Sequence, residues 1–113
     1  MAERLLWHQP ETLKIPAIVK AELIVGALKS RKLYENMRQV QEFLGSFEII
    51  PFDDAGTLAY GQIRTSLEKS GQSIGPNDLI IAATVFSRSG VLVTHNTGEF
   101  QRVMGLPIED WTE

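Results

Sequence analysis

The chain has 113 residues, 43% of them hydrophobic and 22% charged, with a net charge of −3. That is one ordinary globular domain, residues 1–113, large enough to bury roughly two-thirds of its unfolded surface; wholesale disorder and collagen-like structure are excluded. An acidic balance also excludes binding nucleic acid by bulk charge alone, which calls for a basic chain.

Cysteine is absent, which removes disulfides, thiol catalysis and thiolate zinc sites together. No stretch approaches the ~20 apolar residues of a membrane span. The opening segment, Met1 to Pro10, has no apolar core of signal-peptide length. The expectation is a soluble cytoplasmic protein with no membrane partner.

The elements alternate along the chain. Leu13-Lys14-Ile15 is aliphatic and stopped by Pro16, which predicts a strand. Ala17 to Leu28 is an apolar run of helical length, followed by Lys29-Ser30-Arg31-Lys32, a charge pattern that suits a helix C-terminus. Leu33, Met37, Val40, Leu44 and Phe47 fall at helical spacing and predict a second, amphipathic helix. Glu48 to Phe52 reads as a strand entering a turn.

Asp53 or Asp54 starts a third helix, with Ala59, Ile63 and Leu67 as its inner stripe and Gly71 as its stop. Ser70 to Pro76 is a polar, Gly/Pro-rich loop. Leu79 to Phe86 is apolar nearly all round, so it is expected as a buried helix, with Asn77 or Asp78 as its N-cap and Gly90 at its end. Val91 to Thr94 is a strand, Asn96 to Met104 a short helix, and Pro107 to Trp111 a last strand or extended tail. Strands alternating with helices, and apolar throughout, point to an α/β fold with a parallel sheet covered on both faces. Chemistry in such sheets sits at the carboxyl ends of the strands.

Glu22 shares a helix face with Ile18, Val19, Val25 and Gly26. A carboxylate buried there needs a cation, a hydrogen-bond network or a proton. It is either a metal ligand or a residue at the edge of the stripe that reaches solvent. Asp78 is either an N-cap or a second carboxylate for the same cleft, and the two acids together would suit a hard ion such as Mg²⁺ or Mn²⁺. Asn96 and Glu99 match a capping box, the structural alternative to a catalytic role. Thr94 ends its strand, where it could hold a water or a phosphate oxygen. No Walker-type or dinucleotide-binding glycine pattern and no nucleophile elbow is present.

These acids lie in segments that carry a family likeness. The chain resembles the PIN-domain ribonucleases that are the toxins of VapBC-type toxin–antitoxin systems. The matching segments are Ile15 to Leu23, Phe52-Asp53 leading into Tyr60-Gly61-Gln62-Ile63-Arg64, Gly71 to Ala83, Val93 to Val103, and Gly105 to Trp111. The resemblance implies a three-layer α/β/α fold and a metal-dependent endoribonuclease acting on structured RNA, often tRNA or rRNA. Water activated by Mg²⁺ or Mn²⁺ does the cutting, and a cognate antitoxin silences it. Glu22 and Asp78 match the family's metal-binding acids. The variable fourth position falls in the Asn96 to Glu99 turn. Arg64 and Arg102 could supply local positive charge, each with the alternative of a solvated helix residue, which is the reading for Arg88; Arg64 and Thr94 would contact the substrate. Family toxins commonly form homodimers through helices; the Leu33–Phe47 and Ala59–Leu67 helices are the candidate contacts, with the alternative that both stripes are simply core.

One departure stands beside these matches. The family's first, central strand ends in an aspartate that is the first metal ligand, and nothing of that kind precedes Leu13. The chain reads as a toxin lacking that strand, as if begun at an internal methionine. The loss exposes two rows of backbone groups or forces the flanking strands to close up by about 9–10 Å. It predicts a weak metal site and poor or absent cleavage. The alternative function is a catalytically dead toxin remnant that still dimerises or captures antitoxin, and a further one is a product that cannot hold the fold. A flavodoxin-like receiver fits the alternation but lacks its acidic pocket and a suitably placed lysine.

Overall fold

A computed structural model describes residues 14–110. Their order is β1 (Lys14–Pro16), α1 (Ala17–Leu28), α2 (Leu33–Leu44), β2 (Glu48–Ile50), α3 (Asp54–Lys69), α4 (Pro76–Ser87), β3 (Leu92–Val93), α5 (Thr97–Phe100) and β4 (Ile108–Glu109). The chain divides into two compact units with a boundary between Pro51 and Phe52.

In the first unit, β1 and β2 pair in parallel, with Ile15 opposite Ile49, and the Lys14 ammonium lies 3.7 Å from the Glu48 carboxylate. The α1 helix covers the predicted range to the residue. It packs on α2, and Pro16, Ala27, Leu44 and Ile50 are the buried residues among those described in this unit. The α2 helix stops at Leu44, short of the expected Phe47. Gly45 bonds back to the Gln41 carbonyl and Phe47 to the Leu44 carbonyl, a tightening turn that leaves the Phe47 ring tilted against Phe43 at 5.1 Å.

In the second unit, α3 packs against α4. The buried stripe of α3 is Gly56, Ala59, Ile63 and Leu67, which recurs every three or four residues as a helix face must. Asp53 is its N-cap: the carboxylate accepts the Gly56 N–H at 3.2 Å. The other Asp53 oxygen accepts from Arg88 at 2.9 Å, tying the start of α3 to the end of α4. The α4 helix is buried through Leu79, Ile81, Ala82, Ala83 and Thr84. Ala82 and Ala83 are wholly inaccessible, and the Thr84 hydroxyl donates to the Ile80 carbonyl at 2.7 Å, so no polar group is orphaned there. Phe100, Val103, Leu106, Ile74 and Leu92 complete this core.

Three local expectations change. The α4 helix begins earlier than expected, at Pro76 with Gly75 as its cap residue, so neither Asn77 nor Asp78 is the N-cap. Proline's fixed φ and missing N–H make it a favoured first helical residue, which outweighs the side-chain signal of Asn77. The helix expected over Asn96–Met104 closes after Phe100 and continues as tight turns, and Gly105 reverses the chain at φ +84°. The parallel pairing is as expected, but among the described residues it forms two separate two-stranded sheets, β1–β2 and β3–β4. Leu13, Trp111 and the opening segment lie outside the described residues.

Candidate functional site

Asp78 and Glu99 come together in the second unit. Asp78 is in the first turn of α4, where the unpaired N–H groups of a helix favour negative charge. Glu99 reaches it from α5. The Gly75 N–H donates to Glu99 Oε1 at 2.6 Å, and the Asn96 amide donates to Glu99 Oε2 at 3.1 Å. The Asp78 carboxyl lies beside the same backbone and adds a lesser influence on the Glu99 carboxyl. A Cβ at Gly75 would stand 3.6 Å from Glu99 Oε1 and 3.8 Å from Asp78 Oδ2, so both acids crowd this backbone.

Glu99 is held below the ordinary carboxylate range. The Gly75 N–H is the largest cause, followed by the Asn96 amide; burial opposes them, and the Asp78 carboxyl and the positive charge of Arg102 lower it by lesser amounts. Arg102 also donates to the Ser73 carbonyl at 2.9 Å. Residues one helical turn apart at α5 thus grip both ends of the Ser73–Gly75 loop. The capping box expected of Asn96 and Glu99 is not made, because the Asn96 side chain forms no cap hydrogen bond and the Glu99 oxygens are taken by the Gly75 N–H and the Asn96 side-chain amide. Thr94 Oγ1 instead accepts the Asn96 N–H at 3.0 Å, which fixes the turn beside the acids.

Arg64 lies on α3. Its guanidinium donates to Glu68 Oε2 at 2.9 Å and to the Tyr60 hydroxyl at 3.1 Å, and sits 6.0 Å from the centre of the Tyr60 ring. The hydrogen bond it donates to Glu68, then that to Tyr60, raises its pKa above an already high value, so it stays a cation. Phe52 meets Tyr60 edge-on at 6.1 Å. Tyr60, Arg64 and Glu68 border a cavity of about 200 Å³ whose far wall is Ser73, Pro76 and Leu79.

Glu22 belongs to the first unit. Its side chain is exposed on α1, beside Leu23, Gly26, Asn36, Val40 and Phe43, which line a groove of about 410 Å³ between α1 and α2. It lies on the apolar face as expected, without burial. Among the described residues, no three His, Asp or Glu side chains gather as a metal site. The pair Asp78 and Glu99, with the Asn96 and Thr94 oxygens in the adjacent turn, still fits a divalent hard cation: Mg²⁺ is often held by one or two carboxylates, the rest of its shell being water and phosphate. Residue-by-residue reading missed the Gly75 N–H and the Glu68 carboxylate. The i, i+4, i+8 spacing of Tyr60, Arg64 and Glu68 was the available signal for the second.

A helix long and apolar enough to cross a membrane is absent among the described residues. The model of the PIN domain family matches residues 1–106. The chain is 43% identical over 100 residues to Ribonuclease VapC2 of Rickettsia felis, covering 88% of this chain and 75% of that protein. It is 39% identical over 98 residues to the tRNA(fMet)-specific endonuclease VapC of Shigella flexneri, covering 87% of this chain and 74% of the relative. Among solved structures, DNA-bound VapBC from Salmonella typhimurium superposes with a TM-score of 0.92 at 37% identity, covering 97% of this chain and 83% of its counterpart. The fold is PIN-like, and the chain belongs to the PIN-domain family, within the VapC ribonuclease toxins of VapBC toxin–antitoxin systems.

Proposed function

We propose that residues 1–113 act as one PIN-like domain and as a metal-dependent endoribonuclease, the toxin of a toxin–antitoxin pair. The observation that carries this is the Asp78–Glu99 pair at the start of α4 in a chain of this family. RNA is the proposed substrate, tRNA or rRNA in particular, since one relative is named for tRNA(fMet). The proposed partners are a cognate antitoxin, supported by the VapBC assembly of the Salmonella structure, and a second copy of the chain. An RNA substrate places the work in the cytoplasm.

Asp78 and Glu99 would hold Mg²⁺ or Mn²⁺, and Glu22 is proposed as a further ligand on its match to the family motif. When bound, such an ion supplies Lewis acidity towards water and neutralises charge on the scissile phosphate. The chain's own groups do the positioning. Asn96 and Thr94 hold the turn beside the acids and present an amide and a hydroxyl to water or phosphate oxygen. Arg64, a permanent cation, attracts the RNA that the acidic surface otherwise repels.

The test is cleavage of labelled tRNA by the purified chain with Mg²⁺ and with EDTA. The expected result is cutting abolished by EDTA and reduced about hundredfold or more by Asp78→Asn or Glu99→Gln. Cutting that survives both would overturn the proposal. A second reading, a dead remnant that binds antitoxin or dimerises, is favoured by the presence of only two gathered carboxylates among the described residues. Antitoxin binding without any Mg²⁺-dependent cleavage would select it.

A further inference from the structure

We infer that the cavity beside Arg64 is a nucleobase subsite and that it takes an unpaired guanine of the RNA. This deepens the ribonuclease reading and rests on it for the identity of the polymer. The size comes first. A cavity of about 150 Å³ accommodates benzene, so the 200 Å³ here suits one flat ring system and not a base pair.

The lining has the chemistry of a base site. Pro76 and Leu79 make an apolar wall, and Tyr60 offers an aromatic ring steadied by the edge of Phe52. Unpaired RNA bases are read by stacking on aromatic rings or guanidinium planes and by hydrogen bonds to their edges. The polar rim sets a cation beside an anion, with Arg64 Nε 2.9 Å from Glu68 Oε2. Guanine has the complementary edge. Its N7 and O6 acceptors take a guanidinium in bidentate fashion, and its N1–H and N2–H₂ donors, next along the ring, face a carboxylate. Adenine would turn the lone pair of N1 towards Glu68, and pyrimidines have no N7.

Preorganisation and place agree with this. Arg64 is already oriented by Glu68 and the Tyr60 hydroxyl, so little freedom is lost when a base arrives. The Arg64–Glu68 pair is exposed, so both groups can be reached by a base from solvent while they hold each other in place. The cavity also shares a wall with the acids. Ser73 is held by Arg102, Gly75 by Glu99, and Pro76 opens the helix that carries Asp78.

The experiment is an NMR titration of the full chain, in EDTA, with the 5′-monophosphates of guanosine, adenosine, cytidine and uridine. The guanosine nucleotide is expected to shift the Arg64 Nε–Hε and Tyr60 ring signals saturably, about tenfold more tightly than the adenosine nucleotide. Glu68→Gln and Arg64→Met, both at exposed positions and checked for folding by circular dichroism, are expected to erase that preference. Equal binding of all four, shifts elsewhere, no binding, or an unchanged preference in both variants would overturn the subsite. The two readings fail separately. A chain that selects guanosine but cuts no RNA keeps the pocket and loses the nuclease, and one that cuts RNA with no such selection loses the pocket alone.

Discussion

Glu99 Oε1 accepts a 2.6 Å hydrogen bond from the backbone N–H of Gly75, twenty-four residues earlier in the chain. Gly75 is the cap residue of α4, whose own side chain can satisfy nothing. A carboxylate from α5 therefore does the work of an N-terminal cap and brings Glu99 to Asp78 in the same stroke.

Loss of that contact should be felt in stability as well as in chemistry. A hydrogen bond to a charged acceptor contributes about 1.5–3 kcal/mol. Glu99→Ala is expected to lower the unfolding free energy by an amount in that range, read from urea denaturation with an unchanged m-value. Glu99→Gln, which keeps an acceptor for Gly75, should lose less.

The acid limb should carry the same signature. The Glu99 carboxyl is held below its ordinary value of 4.5, so the native chain binds its proton less readily than the unfolded chain. The contribution is then complete above the ordinary value and is lost as the pH falls through the lower native one. The stability gap between wild type and Glu99→Gln should stay level from neutrality down to the ordinary glutamate range and narrow only below it. A gap that widened in acid would contradict the assignment.

Asp53 carries two roles that can be separated. As an N-cap it contributes about 0.5–2 kcal/mol, whereas its exposed ion pair with Arg88 is worth about 0–1 kcal/mol. Asp53→Ala should therefore destabilise more than Arg88→Ala. Asp53→Ser, which keeps the cap and loses the pair, should resemble Arg88→Ala in the same denaturation assay.

The α3–α4 core should resist change in either direction. Ala83 has no accessible surface, so Ala83→Leu must displace its neighbours, at about 1–3 kcal/mol. Ile63→Ala opens a cavity beside it and should cost about 2–5 kcal/mol. Thermal melts followed by circular dichroism would rank the two against the surface change Lys69→Ala, expected within about 0.5 kcal/mol of wild type.

The sequence by itself determined the helices and the faces they bury. The Ala17–Leu28 helix, the Ala59, Ile63 and Leu67 stripe and the buried Leu79–Phe86 run all follow from periodicity, which is written within a few residues of each position. It also placed Asp78 at the start of a buried helix and Glu99 three residues after Asn96. It did not show that Glu99 would bond Gly75, that Arg102 would hold Ser73, or that Asp53 would pair with Arg88. Only the tertiary structure decided these. Each joins side chains or backbone groups 24 to 35 residues apart, and such contacts depend on how the intervening chain folds back. The capping box failed for the same reason: its two residues were at the right local spacing, but a distant backbone donor claimed the carboxylate that the local motif would have used.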